Sequence, residues 1–134
     1  MRPILVVDDD PEELEAACKA LGSWRPVMTA LSSVDALRAA RSADPCVIVL
    51  DVMLSGGKDG FTVFRELQGD PATRDIPVVF LTNVARATGL PFSPASIEQY
   101  LQAKPAAFLE KPVTGAQLLA VMRDLVEAQK IECD

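Results

Sequence analysis

No histidine occurs among the 134 residues. Its absence removes Ser-His and Cys-His nucleophilic mechanisms, ordinary zinc sites and any phosphohistidine on this chain. Cysteine is scarce: Cys18, Cys46 and Cys133 are an odd number without metal-ligand spacing, and they read as reduced structural thiols. No apolar stretch approaches the ~20 residues of a membrane span. Met1-Arg2-Pro3 runs straight into an apolar strand without the layout of a signal peptide, so the expected location is the cytoplasm. Basic charge is in deficit, 13 Lys and Arg against 19 Asp and Glu, and the net −6 argues against direct nucleic-acid binding, which needs a basic face. Internal repeats, low-complexity tracts and interdomain linkers are missing too. What remains is 49% hydrophobic, enough for one domain that buries roughly two-thirds of its unfolded surface. The expected domain covers 1–128, with 129–134 as a short tail.

Short β-branched runs alternate with helical patterns five times, which predicts a parallel sheet with helices on both faces. The strands fall at 3–7, 26–31, 46–50, 76–81 and 106–109. A first helix starts at Pro11 with Asp10 as its N-cap, and Glu12 and Glu13 favour its dipole. Its apolar face is Leu14, Ala17, Cys18 and Leu21. A second helix, capped by Ser32 or Ser33, runs through Val34, Leu37 and Ala40. A third follows Asp59-Gly60 and buries Phe61, Phe64 and Leu67. The last runs from Val113 to about Ala128 on Leu118, Val121, Met122 and Leu125. Between Asn83 and Pro105, Gly89-Leu90-Pro91-Phe92-Ser93-Pro94 breaks the pattern, and a helix restarts at Pro94 or Ala95.

The strand ends carry the chemistry. Asp8, Asp9 and Asp10 follow Ile4-Leu5-Val6-Val7, and Asp51 follows Val47-Ile48-Val49-Leu50. Thr82 closes Val78-Val79-Phe80-Leu81, and Lys111 follows Phe108-Leu109-Glu110. Ligands of open α/β sheets bind at the carboxyl ends of strands. Mg²⁺ takes oxygen ligands, commonly one or two carboxylates with waters and a phosphate. Asp8, Asp9 and Asp51 supply such a set, and their mutual repulsion calls for a cation. An Asp carboxylate is also a competent phosphoryl acceptor. The cation, the Lys111 ammonium and the Thr82 hydroxyl suffice to neutralise the three equatorial oxygens of a transferring phosphoryl group. Singly these residues are ordinary: Asp10 fits a helix cap, Thr82 a strand end and Lys111 the surface. Together, on four strands, they form a kit for placing phosphate on one carboxylate.

With these motifs the chain resembles the receiver domain of two-component response regulators, from Arg2 to about Ala128. The resemblance implies a doubly wound, flavodoxin-like five-stranded parallel sheet of order 2-1-3-4-5. It implies that Asp51 is the phosphoacceptor, charged by a partner histidine kinase or phosphotransfer protein. It implies Mg²⁺ on Asp9, Asp51 and the backbone carbonyl of Met53, with Asp8 acting largely through water. Lys111 would contact the phosphate, Lys111-Pro112 would be the family's usual cis peptide, and Thr82 with Phe108 would form the coupled switch. Such a domain is no enzyme in the ordinary sense; it assists its own phosphorylation and dephosphorylation and switches a surface for an unknown downstream protein. A full switch takes ~5.5 kcal/mol, and contacts to a charged phosphoryl supply roughly 1.5–3 kcal/mol each.

The chain departs from the family's pattern in places. The turn after Asp51 lacks the usual proline, with Ser55 there, is one residue longer before Gly60 and carries the paired Gly56-Gly57. Asn83 follows Thr82 where a small residue is usual, and 83–105 is longer than expected, so the usual dimer is not carried over and a monomer or weak dimer is expected. Met53 and Val84 are apolar where hydrolytic water is admitted, which implies a long-lived phosphoryl group. Two rivals stand: a pseudo-receiver that binds partners without phosphorylation, and a phosphatase resembling the haloacid dehalogenases, which leaves Asp51 unexplained and has no acidic pair after Lys111. No output domain is evident after the last helix, so the expectation is a stand-alone receiver or a piece of a longer regulator.

Overall fold

In the computed structural model the described residues are 2–52, 54, 59–82, 105–111 and 113–128, the side chain of Thr82 excepted. The elements run β1 (Ile4–Val7), α1 (Pro11–Gly22), β2 (Val27–Ala30), α2 (Ser33–Ala43), β3 (Val47–Asp51), α3 (Gly60–Gln68), β4 (Val78–Thr82), β5 (Ala107–Glu110) and α4 (Gly115–Glu127), where α4 is the fourth helix among the described residues. The strands form one sheet of order β2-β1-β3-β4-β5. All four pairings are parallel, as expected for this fold. Readings that concern Met53, 55–58, 83–104, Pro112 and 129–134 lie outside the described residues.

The period-2 alternation of the strands divides the core into two layers. Leu5, Val7, Ile48, Leu50, Val78 and Phe80 point to α2 and α3, where they meet Ala36, Ala40, Val63, Phe64 and Leu67. Ile4, Val6, Val47, Val49 and Val79 point the other way, onto Leu14, Ala17 and Leu21 of α1 and Leu118, Met122 and Leu125 of α4. Strands covered on both faces must be apolar at every position, which is why β1 and β3 read as continuous runs. Gly115 opens α4 where a Cβ would lie 2.8 Å from that of Ala20, so only glycine brings α4 this close to α1.

The helix starts follow local chemistry. Asp10, Ser32 and Asp59 cap α1, α2 and α3 by accepting from the amides of Glu12, Asp35 and Thr62. One boundary needs correction. The last helix begins at Gly115 and not at Val113, because Thr114 and Gln117 form a reciprocal capping box that sets the boundary. On α2 the buried residues are Ser33, Ala36 and Ala40, while Val34 is 61% exposed. Small residues there let α2 lie close to the sheet, and the larger Val34 faces outward. A second correction concerns the thiols: Cys18 is free, but the fully buried Cys46 is disulfide-bonded.

Candidate functional site at the carboxyl edge of the sheet

Strand register alone assembles the site. Val7 is paired with Leu50, so the next residues, Asp8 and Asp51, emerge side by side from β1 and β3. Asp51 is paired with Leu81, and Thr82 with Glu110, so Lys111 leaves the sheet one residue beyond. β1 lies between β2 and β3, and the chain reverses direction across the sheet there; this is the switch point where open α/β sheets leave a crevice.

Asp8, Asp9 and Asp51 each direct a carboxylate oxygen into one cluster, with these atoms within 4.8 Å of one another. Asp8 and Asp51 are buried. The Lys111 ammonium donates to Asp8 Oδ2 at 3.0 Å and to Asp51 Oδ2 at 3.0 Å, and it also donates to Glu13 Oε2. Its side chain is 10% exposed. The second Asp8 oxygen, Oδ1, accepts from the Asp10 amide at 3.0 Å. Three hard oxygen donors on short side chains, two of them buried, match what a magnesium-sized cation binds, and their summed negative charge exceeds what one lysine offsets. The residues therefore fit the cation.

Local charge follows the contacts. Burial pulls the Lys111 ammonium down, but its hydrogen bonds to Glu13, Asp8 and Asp51 outweigh this and raise it well above an ordinary lysine. Burial pushes the Asp8 carboxyl up, but hydrogen bonds with Glu13, the Asp10 amide and Lys111 leave it below the usual range. Glu13 is raised, first by its hydrogen bond with Asp8 and then by burial, against the pull of Lys111. When pH falls, Glu13 therefore takes a proton before Asp8 does.

Of the residues expected from sequence, Asp8, Asp9, Asp51 and Lys111 meet in this cluster. Thr82 ends β4 beside Glu110 on the same edge, and its side chain is not described. Phe108 is half-buried, 6.4 Å from Phe80 ring to ring, below the site. Met53 lies outside the described residues. Sequence reading missed Glu13, which it assigned only to the helix dipole. The only sequence hint was its spacing: four residues before the buried Ala17, it lies at the edge of the buried side of α1.

Gly60 supports the end of β3 from below. Its amide donates to the Val52 carbonyl at 2.8 Å. A Cβ there would stand 2.3 Å from the Asp51 carbonyl oxygen and 2.7 Å from Val52 Cα, both backbone atoms that cannot turn aside. Gly60→Ala should cost about 1–3 kcal/mol, as overpacking does, and displace Asp51. Urea denaturation measures it, and an unchanged midpoint would show that α3 shifts without strain.

The fold and this cluster define a doubly wound α/β protein with an acidic, lysine-bearing crevice at its switch point. The family model for the response regulator receiver domain matches residues 4–123. The chain belongs to that family, and so to the proteins of two-component signalling. It is 40% identical over 126 residues to response regulator PleD of Caulobacter vibrioides, covering 91% of this chain and 25% of that protein. It is 37% identical to response regulator MprA of Mycobacterium ulcerans, covering 98% of this chain and 53% of that one. The crystal structure of the N-terminal domain of a response regulator receiver protein from Methanoculleus marisnigri superposes with a TM-score of 0.68 at 30% identity, covering 92% of this chain and 95% of that one. The chain thus spans a quarter of PleD and about half of MprA. No helix among the described residues is long and apolar enough to cross a membrane.

Proposed function

We propose that Asp51 accepts a phosphoryl group from a histidine kinase or phosphotransfer protein, and that the charged domain presents a changed surface to a downstream protein. One observation carries this reading: the Lys111 ammonium sits 3.0 Å from both Asp8 and Asp51 at the carboxyl edge, held by charge where a phosphoryl oxygen would arrive. In the transfer, an Asp51 carboxylate oxygen forms the new bond to phosphorus. The bond from phosphorus to the imidazole nitrogen of the donor breaks, and that nitrogen keeps the electron pair.

Asp8, Asp9 and Asp51 would hold Mg²⁺, with the Met53 carbonyl as a further ligand. When bound, the cation supplies charge neutralisation that lets a phosphoryl group approach three carboxylates. Lys111 takes a phosphoryl oxygen and so gives up a carboxylate. Thr82 takes another through its hydroxyl, and Phe108 turns inward as Thr82 moves. The domain works as a phosphoacceptor and not as a turnover enzyme, within the receiver unit 1–128. Its acidic charge suits protein partners and not direct contact with nucleic acid.

Incubation with acetyl phosphate and Mg²⁺ should add a single phosphoryl mass to the intact protein, with no adduct in excess EDTA or in Asp51→Asn. A wild-type protein that binds Mg²⁺ yet takes no phosphate, from acetyl phosphate or from a phosphorylated donor protein, would instead be a pseudo-receiver. Steady hydrolysis of a generic phosphate ester would point to a phosphatase.

A further inference from the structure

The third partner of Lys111 comes from α1. Glu13 occupies the third position of that helix, after Asp10, Pro11 and Glu12. A Glu or Gln there commonly reaches back to the N-cap amide. Gln117 does so in α4, accepting from the Thr114 amide at 2.9 Å. In α1 that amide is already taken, because Asp10 N donates to Asp8 Oδ1 at 3.0 Å. Glu13 is thereby released from capping and turns into the crevice, where it accepts from Lys111. Beside this contact lies a cavity of about 140 Å³, lined by Asp8, Glu13, Ala16, Lys111, Val113 and Leu118 among others. Both side chains, Lys111 and Glu13, border this cavity.

We propose that Glu13 is a positioning residue that parks Lys111. It gives the ammonium an anionic partner in addition to Asp8 and Asp51, so that those carboxylates can be surrendered to a cation. It also holds back the same ammonium from an arriving phosphoryl group. The inference rests on the proposed phosphoacceptor reading and adds to it a residue with two opposed effects. With Glu13→Gln, Lys111 loses its parking place, competes harder for Asp8 and Asp51 and weakens Mg²⁺ binding. Once Mg²⁺ is saturating, the unparked lysine reaches phosphate sooner.

Wild type, Glu13→Gln, Lys111→Ala and the double variant should be titrated with MgCl₂ alone by calorimetry. Wild type and Glu13→Gln should also be labelled with acetyl phosphate at saturating Mg²⁺ and followed by intact mass. Glu13→Gln should weaken Mg²⁺ about threefold and speed labelling about threefold, and the Mg²⁺ shift should vanish in the Lys111→Ala background, as expected of groups in direct contact. Equal Mg²⁺ shifts in both backgrounds, no shift at all, or weaker Mg²⁺ with slower labelling at saturation would each overturn the proposal. A wild-type protein that takes no phosphate from any donor overturns the phosphoacceptor reading instead, and the two Mg²⁺ arms still decide the role of Glu13.

Discussion

Lys111→Ala should lower stability by about 3 kcal/mol in EDTA, and millimolar Mg²⁺ should restore most of it. The first number follows from burial: the lysine side chain is 10% exposed, and Asp8 and Asp51 beside it are 5% and 6% exposed. Removing one partner of a buried ion pair costs about 3–5 kcal/mol because the other charge is left uncompensated. The lower end applies here, since Glu13 is 45% exposed and water enters from its side. The recovery follows from mass action, since a ligand at a hundredfold its Kd adds about 2.7 kcal/mol to a folded state that alone binds it. In wild type the gain from Mg²⁺ should be smaller, because Lys111 occupies the same oxygens. Urea midpoints with and without Mg²⁺ measure both. Equal midpoints for wild type and Lys111→Ala in EDTA would mean that the ammonium contributes nothing to holding the carboxylates together.

The same comparison has a pH signature. Asp8 is held below its ordinary value in the folded protein, so its contribution is fully present above the unfolded carboxyl pKa, ~3.9, and is lost as pH falls through the lower folded value. The gap between wild type and Lys111→Ala should therefore persist at neutral pH and close in acid.

The second large effect lies in the core beneath the site. Phe80, fully buried, sits edge-on to Phe61 and Phe64 at 5.3 Å each and tilted against Phe108 at 6.4 Å. Phe80→Ala should cost about 3–5 kcal/mol, a large share of the 5–15 kcal/mol typical of a domain. Because Phe80 links β4 to α3 and β5, the loss should loosen Phe108 as well. Phe80→Leu should cost about half as much, since it keeps the apolar contact but loses the ring geometry. Thermal denaturation followed by far-UV circular dichroism measures both, and a loss under 1 kcal/mol for Phe80→Ala would show that the neighbouring rings collapse into the space.

Much of this protein was legible before folding. Fully apolar runs such as Val47-Ile48-Val49-Leu50 occur in strands covered on both faces, and the helical patterns between them require crossovers, which make the sheet parallel. Once that is granted, Asp8, Asp51, Thr82 and Lys111 must lie at one edge, because every parallel strand ends on the same side. Local capping chemistry was legible too, in Asp10, Ser32 and Asp59, since a cap depends on neighbours two or three residues away.

What depended on contacts distant in sequence was not legible. The pairing of Val7 with Leu50 puts two aspartates shoulder to shoulder, and that register is set by packing across the whole sheet. The outward turn of Val34 reflects how closely α2 lies on the sheet, which hydrophobicity alone does not encode. The engagement of Cys46 in a disulfide likewise needed a partner that spacing did not indicate. Glu13 is the clearest case. In sequence it is one of two acids in a first turn, and only the tertiary structure, by tying the Asp10 amide to Asp8 and bringing Lys111 from 98 residues away, makes it part of the site.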